Sequence, residues 1–295
     1  MHERVTVVEV GPRDGLQNEA ARIAAADKAG FVERLAAAGL PVIEVSSFVR
    51  PDRVPQLADA REVFAALTAR PGTRFTALVP NVKGLDEARA AGLREIAVFA
   101  AASETFSQRN TNRSIAESMA ALATVCRQAG DAGLRVRGYL STAFGCPFEG
   151  FVDPSRVATL SRQLVDMGCY EVAVSDTIGI AHAGQVPVVV EAVGRAIPLS
   201  LIALHFHDTR GQALANVMAA LRLGIRTFDA SAGGLGGCPF APGATGNLAT
   251  EDLVYLLDGL GYETGVSLDG VLQASAFIEP KVGHPLPSRV YRATR

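Results

Sequence analysis

Short runs rich in β-branched residues recur along the chain, each followed by a longer Ala- and Leu-rich stretch with apolar residues at helical spacing. The runs are VTVVEV (5–10), PVIEVSS (41–47), RFTALV (74–79), EIAVFA (95–100), RVRGYL (135–140), EVAVS (171–175), LIALHFH (201–207) and RTFDAS (226–231). They read as strands, because branched side chains pack well on a pleated surface and lose freedom in a helix. Between them, stretches such as IAAADKAGFVERLAAAG and SMAALATVCRQAGDAG place apolar residues every three or four positions and end on glycine, which predicts amphipathic helices. Strand–helix alternation demands a parallel sheet, since parallel neighbours must be joined by a crossover. Eight such strands in roughly 250 residues predict an α/β fold of the closed (β/α)8 barrel type. An open doubly wound sheet would place a glycine fingerprint after its first strand, and VEVGPRDG is not one. Beyond the eighth strand, NLATEDLVYLLDGLG and SLDGVLQASAFI predict additional C-terminal helices. With no linker, repeat or low-complexity segment, residues 1–295 are expected to form one domain. Its barrel spans about 5–235, and a Gly-rich loop and the C-terminal helices span about 233–280.

The totals change this picture little. The chain has 295 residues, a net charge of −2 and 48% hydrophobic residues, enough for a large core. Near-neutral charge gives no argument for nucleic acid or an anionic membrane as partner, and neither is expected; no apolar run approaches the roughly 20 residues that span a bilayer. Cys126, Cys146, Cys169 and Cys238 show no zinc-binding spacing and read as reduced thiols. The first strand starts almost at once, leaving no room for a signal or transit peptide, so a cytoplasmic location is expected.

The chemistry begins at LIALHFHDTRGQ (201–212). On a strand, His205 and His207 share a face with Ala203, while Ile202, Leu204 and Phe206 take the other. In a barrel the second face meets the helices, so both imidazoles point inward at the strand's C-terminal end, where such barrels build active sites. Two imidazoles about 6.6–7 Å apart along a strand can converge on one cation. Two hydrogen-bonded core histidines are the bland alternative, and the shared face at the catalytic end favours metal. A cation held by imidazoles also wants oxygen ligands. Asp14, in VGPRDGLQNE after the first strand, is a candidate carboxylate ligand, with Arg13 a fixed positive charge beside it. The same residues would also suit an ordinary turn. Asn247, just before a predicted helix, is either an N-cap or a neutral oxygen ligand. Glu44 and Asp176 end the second and sixth strands, as satisfied rim acids or as substrate-binding or acid–base groups. Cys238 lies in the flexible SAGGLGGCPFAPGATG loop, which could close over a substrate.

VEVGPRDGLQNE, IEVSSFVRPDRVPQ, GCPFEG, SDTIG, HFHDTRGQALAN and GGLGGCPFAPGATGNLATEDLVYLL, in this order, closely resemble the 3-hydroxy-3-methylglutaryl-CoA lyase family of metal-dependent TIM-barrel lyases. The likeness runs from about residue 5 to 265, and the Gly-Gly-Leu-Gly-Gly-Cys-Pro loop is its specific part. The resemblance implies that Asp14, His205, His207 and Asn247 bind a divalent metal, that Arg13 stabilises an enolate, and that Cys238 is catalytic. It implies that Glu44 and Asp176 support substrate binding and proton transfer. The implied reaction splits an acyl-CoA, 3-hydroxy-3-methylglutaryl-CoA, into acetyl-CoA and acetoacetate, as in leucine catabolism. The implied assembly is a homodimer. Mixed N/O ligands suit Mg2+ or Mn2+, and imidazole also suits Zn2+ or Co2+.

The chain departs from the family pattern at three points. Phe206 stands where a smaller residue is expected, Arg210 replaces a tyrosine, and Thr142 stands where cysteine is common. Arg210 keeps open a related branched 3-hydroxyacyl-CoA as substrate. A synthase or aldolase acting on 2-oxo acids is the nearest rival on the same barrel, and a metal-stabilised binding barrel is the non-enzymatic one. No phosphate loop of the GxxxxGK[ST] type is present, so residues for the CoA phosphates are not legible.

Overall fold

The computed structural model describes residues 3–237 and 246–295. The predicted runs form eight parallel strands: β1 (Thr6–Glu9), β2 (Val42–Ser47), β3 (Arg74–Leu78), β4 (Glu95–Ala101), β5 (Arg135–Ser141), β6 (Cys169–Asp176), β7 (Ile202–Phe206) and β8 (Thr227–Ala230). They close into a barrel in sequence order, with β1 pairing both β2 and β8. Each boundary falls within about two residues of the periodicity reading, the usual uncertainty of strand ends. Helices connect the strands and start on recognisable signals. Ser114 and Glu117 form a reciprocal capping box at the head of Ile115–Asp131, and Asp153 with Pro154 opens Pro154–Asp166.

The outward faces of the strands pack on the helices in one large core that includes Ile202, Leu204 and Phe206. The barrel interior is different. Its apolar content is two small groups, Leu78, Ala97, Tyr139, Ala173 and Ala203, and then Val8, Val10 and Val42. Alanines on β4, β6 and β7 leave room there for longer side chains. Past the barrel come Thr250–Gly259 and Leu268–Val282, as expected, and a short helix, Arg289–Ala293, that periodicity did not reveal. This last helix is tied back by Ser288 and Arg289 to Asp252 and Asp208. No helix among the described residues is long and apolar enough to cross a membrane.

Candidate metal centre and active site

The site assembles at the C-terminal ends of the strands. After β1 the chain makes one wide helical turn, Gly11–Gly15, in which the N–H groups of Arg13, Asp14 and Gly15 all donate to the Val10 carbonyl, at 3.2, 2.7 and 3.2 Å. That turn carries Arg13 and Asp14 over the barrel mouth, where sequence alone suggested an open turn. On β7 the alternation holds: His205 and His207 are buried inside, while Phe206 packs outward on Phe144 with ring centroids 5.6 Å apart. Phe206 therefore leaves the histidine face undisturbed.

Asp14 Oδ2 lies 4.0 Å from His205 Nε2 and 3.9 Å from His207 Nε2. Ligand atoms of these three residues all sit within 4.8 Å of one another. Asn247 donates from Nδ2 to Asp14 Oδ2 at 2.9 Å and to the Leu235 carbonyl at 3.1 Å, while its Oδ1 is buried with no partner among the described residues. Gly236 makes this approach possible: its φ is +116°, and a Cβ there would lie 2.6 Å from Asn247 Nδ2. A buried oxygen without a donor is costly. Here it accompanies one carboxylate and two imidazoles, a donor set that fits a divalent cation.

The protonation states agree. Burial opposes charge on Asp14, yet Arg13 and the two imidazoles hold its pKa down at about 2. Burial pushes His207 down to about 4, with His205 adding to the effect, so its ring is neutral at pH 7. Burial works against a charged His205 as well, but Asp229 and Asp14 outweigh it and raise its pKa. Asp229 Oδ2 lies 3.1 Å from His205 Nδ1. Burial alone would raise the Asp229 carboxyl, and Arg137 and His205 together bring it below the ordinary value.

Arg13 is pinned on two sides, by Nε to Glu44 Oε1 and by Nη1 to Asp14 Oδ1 at 2.5 Å. Burial alone would weaken this cation, and the two carboxylates hold it charged. Glu44 is fully buried on β2 just before a register shift between Glu44 and Ser46, a bulge of the kind that re-aims side chains beside active sites. Asp176 is not drawn into the cluster. Its oxygens accept from the backbone N–H groups of Ile180 (3.0 Å) and Ala181 (3.1 Å), closing the loop after β6, and burial pushes its pKa up to about 6 against those bonds. Arg210 donates to the carbonyls of Ile178 and Gly179 in that same loop, at 3.1 and 2.9 Å. Thr142 is buried at a φ of +58°, its N–H held by the Thr177 hydroxyl at 2.7 Å, so a strained residue marks the rim between β5 and β6. Cys238 lies outside the described residues.

Three groups of residues escaped the sequence reading. Asp229 and Arg137 lie inside the barrel. Glu9 accepts from Gly11 N, Ala232 N and the Thr250 hydroxyl (2.7, 2.9 and 2.7 Å), joining the Arg13–Asp14 turn, the start of the Gly-rich loop and the helix after Asn247. The third group lines a cavity of about 730 Å3 that runs outward from Arg13, Asp14, His205 and His207. Its lining includes the apolar Leu78, Phe99 and Leu122 and the exposed Arg50, Arg53, Arg109 and Arg113.

The comparisons with known proteins agree with this geometry. The family model described as HMGL-like matches residues 4–278. A protein of Pseudomonas aeruginosa named 3-hydroxy-3-isohexenylglutaryl-CoA/hydroxy-methylglutaryl-CoA lyase is 52% identical over 291 residues, covering 99% of this chain and 97% of its own. The crystal structure of hydroxymethylglutaryl-CoA lyase from Pseudomonas aeruginosa superimposes with a TM-score of 0.97 at 51% identity, covering 100% of this chain and 98% of that one. An HMG-CoA lyase from Acinetobacter baumannii, in complex with coenzyme A and 3-methylmalate, gives a TM-score of 0.94 at 38% identity and covers 99% of this chain and 95% of that one.

Proposed function

The chain belongs to the HMGL-like family, and from that premise we propose that it is a lyase cleaving 3-hydroxy-3-methylglutaryl-CoA into acetyl-CoA and acetoacetate. One observation carries the reading: a fixed guanidinium, Arg13, stands beside a cluster of Asp14, His205 and His207 in a cavity whose lining also carries four exposed arginines. The substrate has matching parts, a hydroxyl and carboxylate, a thioester, and a long tail ending in phosphates.

Asp14, His205, His207 and Asn247 Oδ1 would hold a divalent cation, Mg2+ or Mn2+ with Zn2+ or Co2+ as alternatives. A divalent cation supplies Lewis acidity, which lowers the pKa of a tertiary hydroxyl by several units. The residues do the rest. As the C2–C3 bond breaks, the C3 hydroxyl gives up its proton to a base, for which His205 and Asp176 are the candidates, the C3 oxygen becomes the ketone of acetoacetate, and the bonding pair moves to C2 as the acetyl-CoA enolate. Arg13, charged and already oriented by Glu44, meets the thioester oxygen where that charge develops, and needs no reorganisation to do so. C2 then gains a proton, for which we assign Cys238; it follows Gly237, which lines the cavity. Asp176 supports binding by holding the loop from which Thr177 lines the same cavity. The four arginines suit the CoA phosphates, and coenzyme A in the related Acinetobacter structure supports an acyl-CoA substrate. Operation as a cytoplasmic homodimer belongs to the same proposal and rests on the family resemblance alone.

A larger branch at C3 is a second reading. The Pseudomonas relative is named for an isohexenylglutaryl-CoA as well, and the apolar residues lining the cavity would suit such a chain. The test is an assay of both acyl-CoA substrates with purified protein, before and after chelation and again after Mn2+ is restored. Acetyl-CoA release that vanishes with chelator and returns with metal supports the proposal. Consumption of acetyl-CoA with a 2-oxo acid, or no turnover of either substrate, overturns it.

A further inference from the structure

The two histidines of the site are not held alike. Among the described residues, His207 Nδ1 is buried without a partner. His205 Nδ1 is 3.1 Å from Asp229 Oδ2, and the register of β7 and β8 sets these two residues directly side by side. Asp229 is in turn gripped by Arg137, which reaches across the barrel from β5. Its Nη2 donates to Oδ1 at 2.8 Å and its Nη1 to Oδ2 at 3.2 Å. Arg137 also donates from Nε to Glu171 at 2.7 Å and from Nη1 to the Tyr139 hydroxyl at 2.9 Å, and it is 1% exposed. The edge of the Tyr139 ring meets His205 in a T-shaped contact at 6.3 Å.

A stability role explains this chain poorly. Burying an ion pair rarely stabilises more than apolar side chains of the same volume would, and the neighbouring interior positions Ala97, Ala173 and Ala203 show that the barrel accepts apolar residues here. The arrangement does satisfy a directional requirement. A carboxylate paired with a guanidinium only accepts hydrogen bonds, so the His205 nitrogen facing it must be the N–H. In the neutral ring the lone pair then falls on Nε2, the atom that faces Asp14 at 4.0 Å. Histidines that bind metals are commonly oriented by a partner on the other ring nitrogen in this way.

We propose that Asp229, locked by Arg137, is a positioning residue that fixes the ring and tautomer of His205 so that Nε2 presents its lone pair to the site. The inference rests on the metal reading given above and assigns the two histidines different parts: His205 is preset, and His207 is aligned by the ligand it meets. Asp229→Asn is the decisive change. Arg137 demands an oxygen, so the new amide turns its oxygen to Arg137 and its NH2 to His205. Nδ1 must then accept, and the proton moves to Nε2, where it blocks the site.

The test titrates metal-free wild-type protein and D229N with Mn2+, following free Mn2+ by EPR, with thermal unfolding of both in parallel. D229N is expected to bind about 10- to 100-fold more weakly while folded. Equal affinity in the two proteins overturns the positioning role and leaves the metal reading standing, whereas a wild-type chain that binds no Mn2+ overturns both. Should D229N not fold, 15N spectra of histidine-labelled wild-type protein decide the matter, since the chain has only five histidines. A neutral His205 with its proton on Nδ1, identified by loss of its signals in His205→Gln, supports the proposal. A neutral ring, recorded above the pH at which His205 loses its charge, with its proton on Nε2 overturns it.

Discussion

Buried acids lie on both sides of the barrel wall, and the two sides treat them differently. Inside the barrel and at its mouth, Glu44, Asp229 and the partly buried Asp14 each contact an arginine, and Asp14 and Asp229 are held ionised. Behind β1 and β8, Glu9 and Glu251 are fully buried and, among the described residues, have only N–H and hydroxyl donors. Glu9 takes Gly11, Ala232 and Thr250, and Glu251 takes Gly233 and Ser275. Without a cation, burial lifts Glu9 to about 7 against those bonds and Glu251 to about 8. Asp14 and Asp229 keep their charge where a cation is to be held, whereas burial raises the Glu44 carboxyl even beside Arg13. The outer pair staples loops, for which a neutral acid serves as well.

The strongest way to break this contrast is to remove an interior cation. Arg137→Met leaves Asp229 and Glu171 without their guanidinium, and breaking a buried pair in this way costs about 3–5 kcal/mol; urea unfolding of metal-free protein reads the loss, and unchanged stability would count against the pairing. Arg13→Gln should lower kcat by about 10²–10³, as loss of an oxyanion donor does, while Mn2+ still binds. An unaltered kcat refutes the enolate role.

On the outer side the prediction concerns pH. Glu9 and Glu251 have folded pKa values above the ordinary 4.5, so between those limits the folded state holds protons that the unfolded chain has released. Their contribution is full at low pH and is lost as pH rises through about 7 and 8. His207, lowered to about 4, acts in the opposite sense only below its ordinary 6.5. Stability should therefore fall from pH 6.5 to 8, by on the order of 2 kcal/mol, and Glu251→Gln should flatten most of that slope. A wild-type profile that is level over this window contradicts the neutral-acid assignment. The smallest effect is expected at Phe206→Leu, about 1–1.5 kcal/mol of stability for an apolar swap. Mn2+ affinity should not change, because that side chain faces the helices.

Much of this was legible in the sequence. Runs of β-branched residues located every strand, and parity alone set His205 and His207 inward and Phe206 outward. What escaped was partnership between distant strands. Arg137 sits in RVRGYL and Asp229 in RTFDAS, 92 residues apart, and only closure of the barrel shows that they meet. Their signal was present as charged residues on inward positions of apolar strands. Glu9 interrupts the outward face of VTVVEV, but the Thr250 hydroxyl it binds is 241 residues away. The Gly11–Gly15 turn read as loop because its residues are turn formers, and its single shared carbonyl depends on the barrel rim beneath it. Arg210 looked like a substrate selector from its place near the mouth, and its reach is backward, to the loop after β6.

The most direct test of the account puts metal content and acyl-CoA cleavage on one sample of His207→Ala. If the β7 histidines and Asp14 form the working centre, the folded variant loses stoichiometric Mn2+ and acetyl-CoA release together. A variant that still binds one Mn2+ per chain, or still cleaves the substrate at the wild-type rate, would show that the centre lies elsewhere.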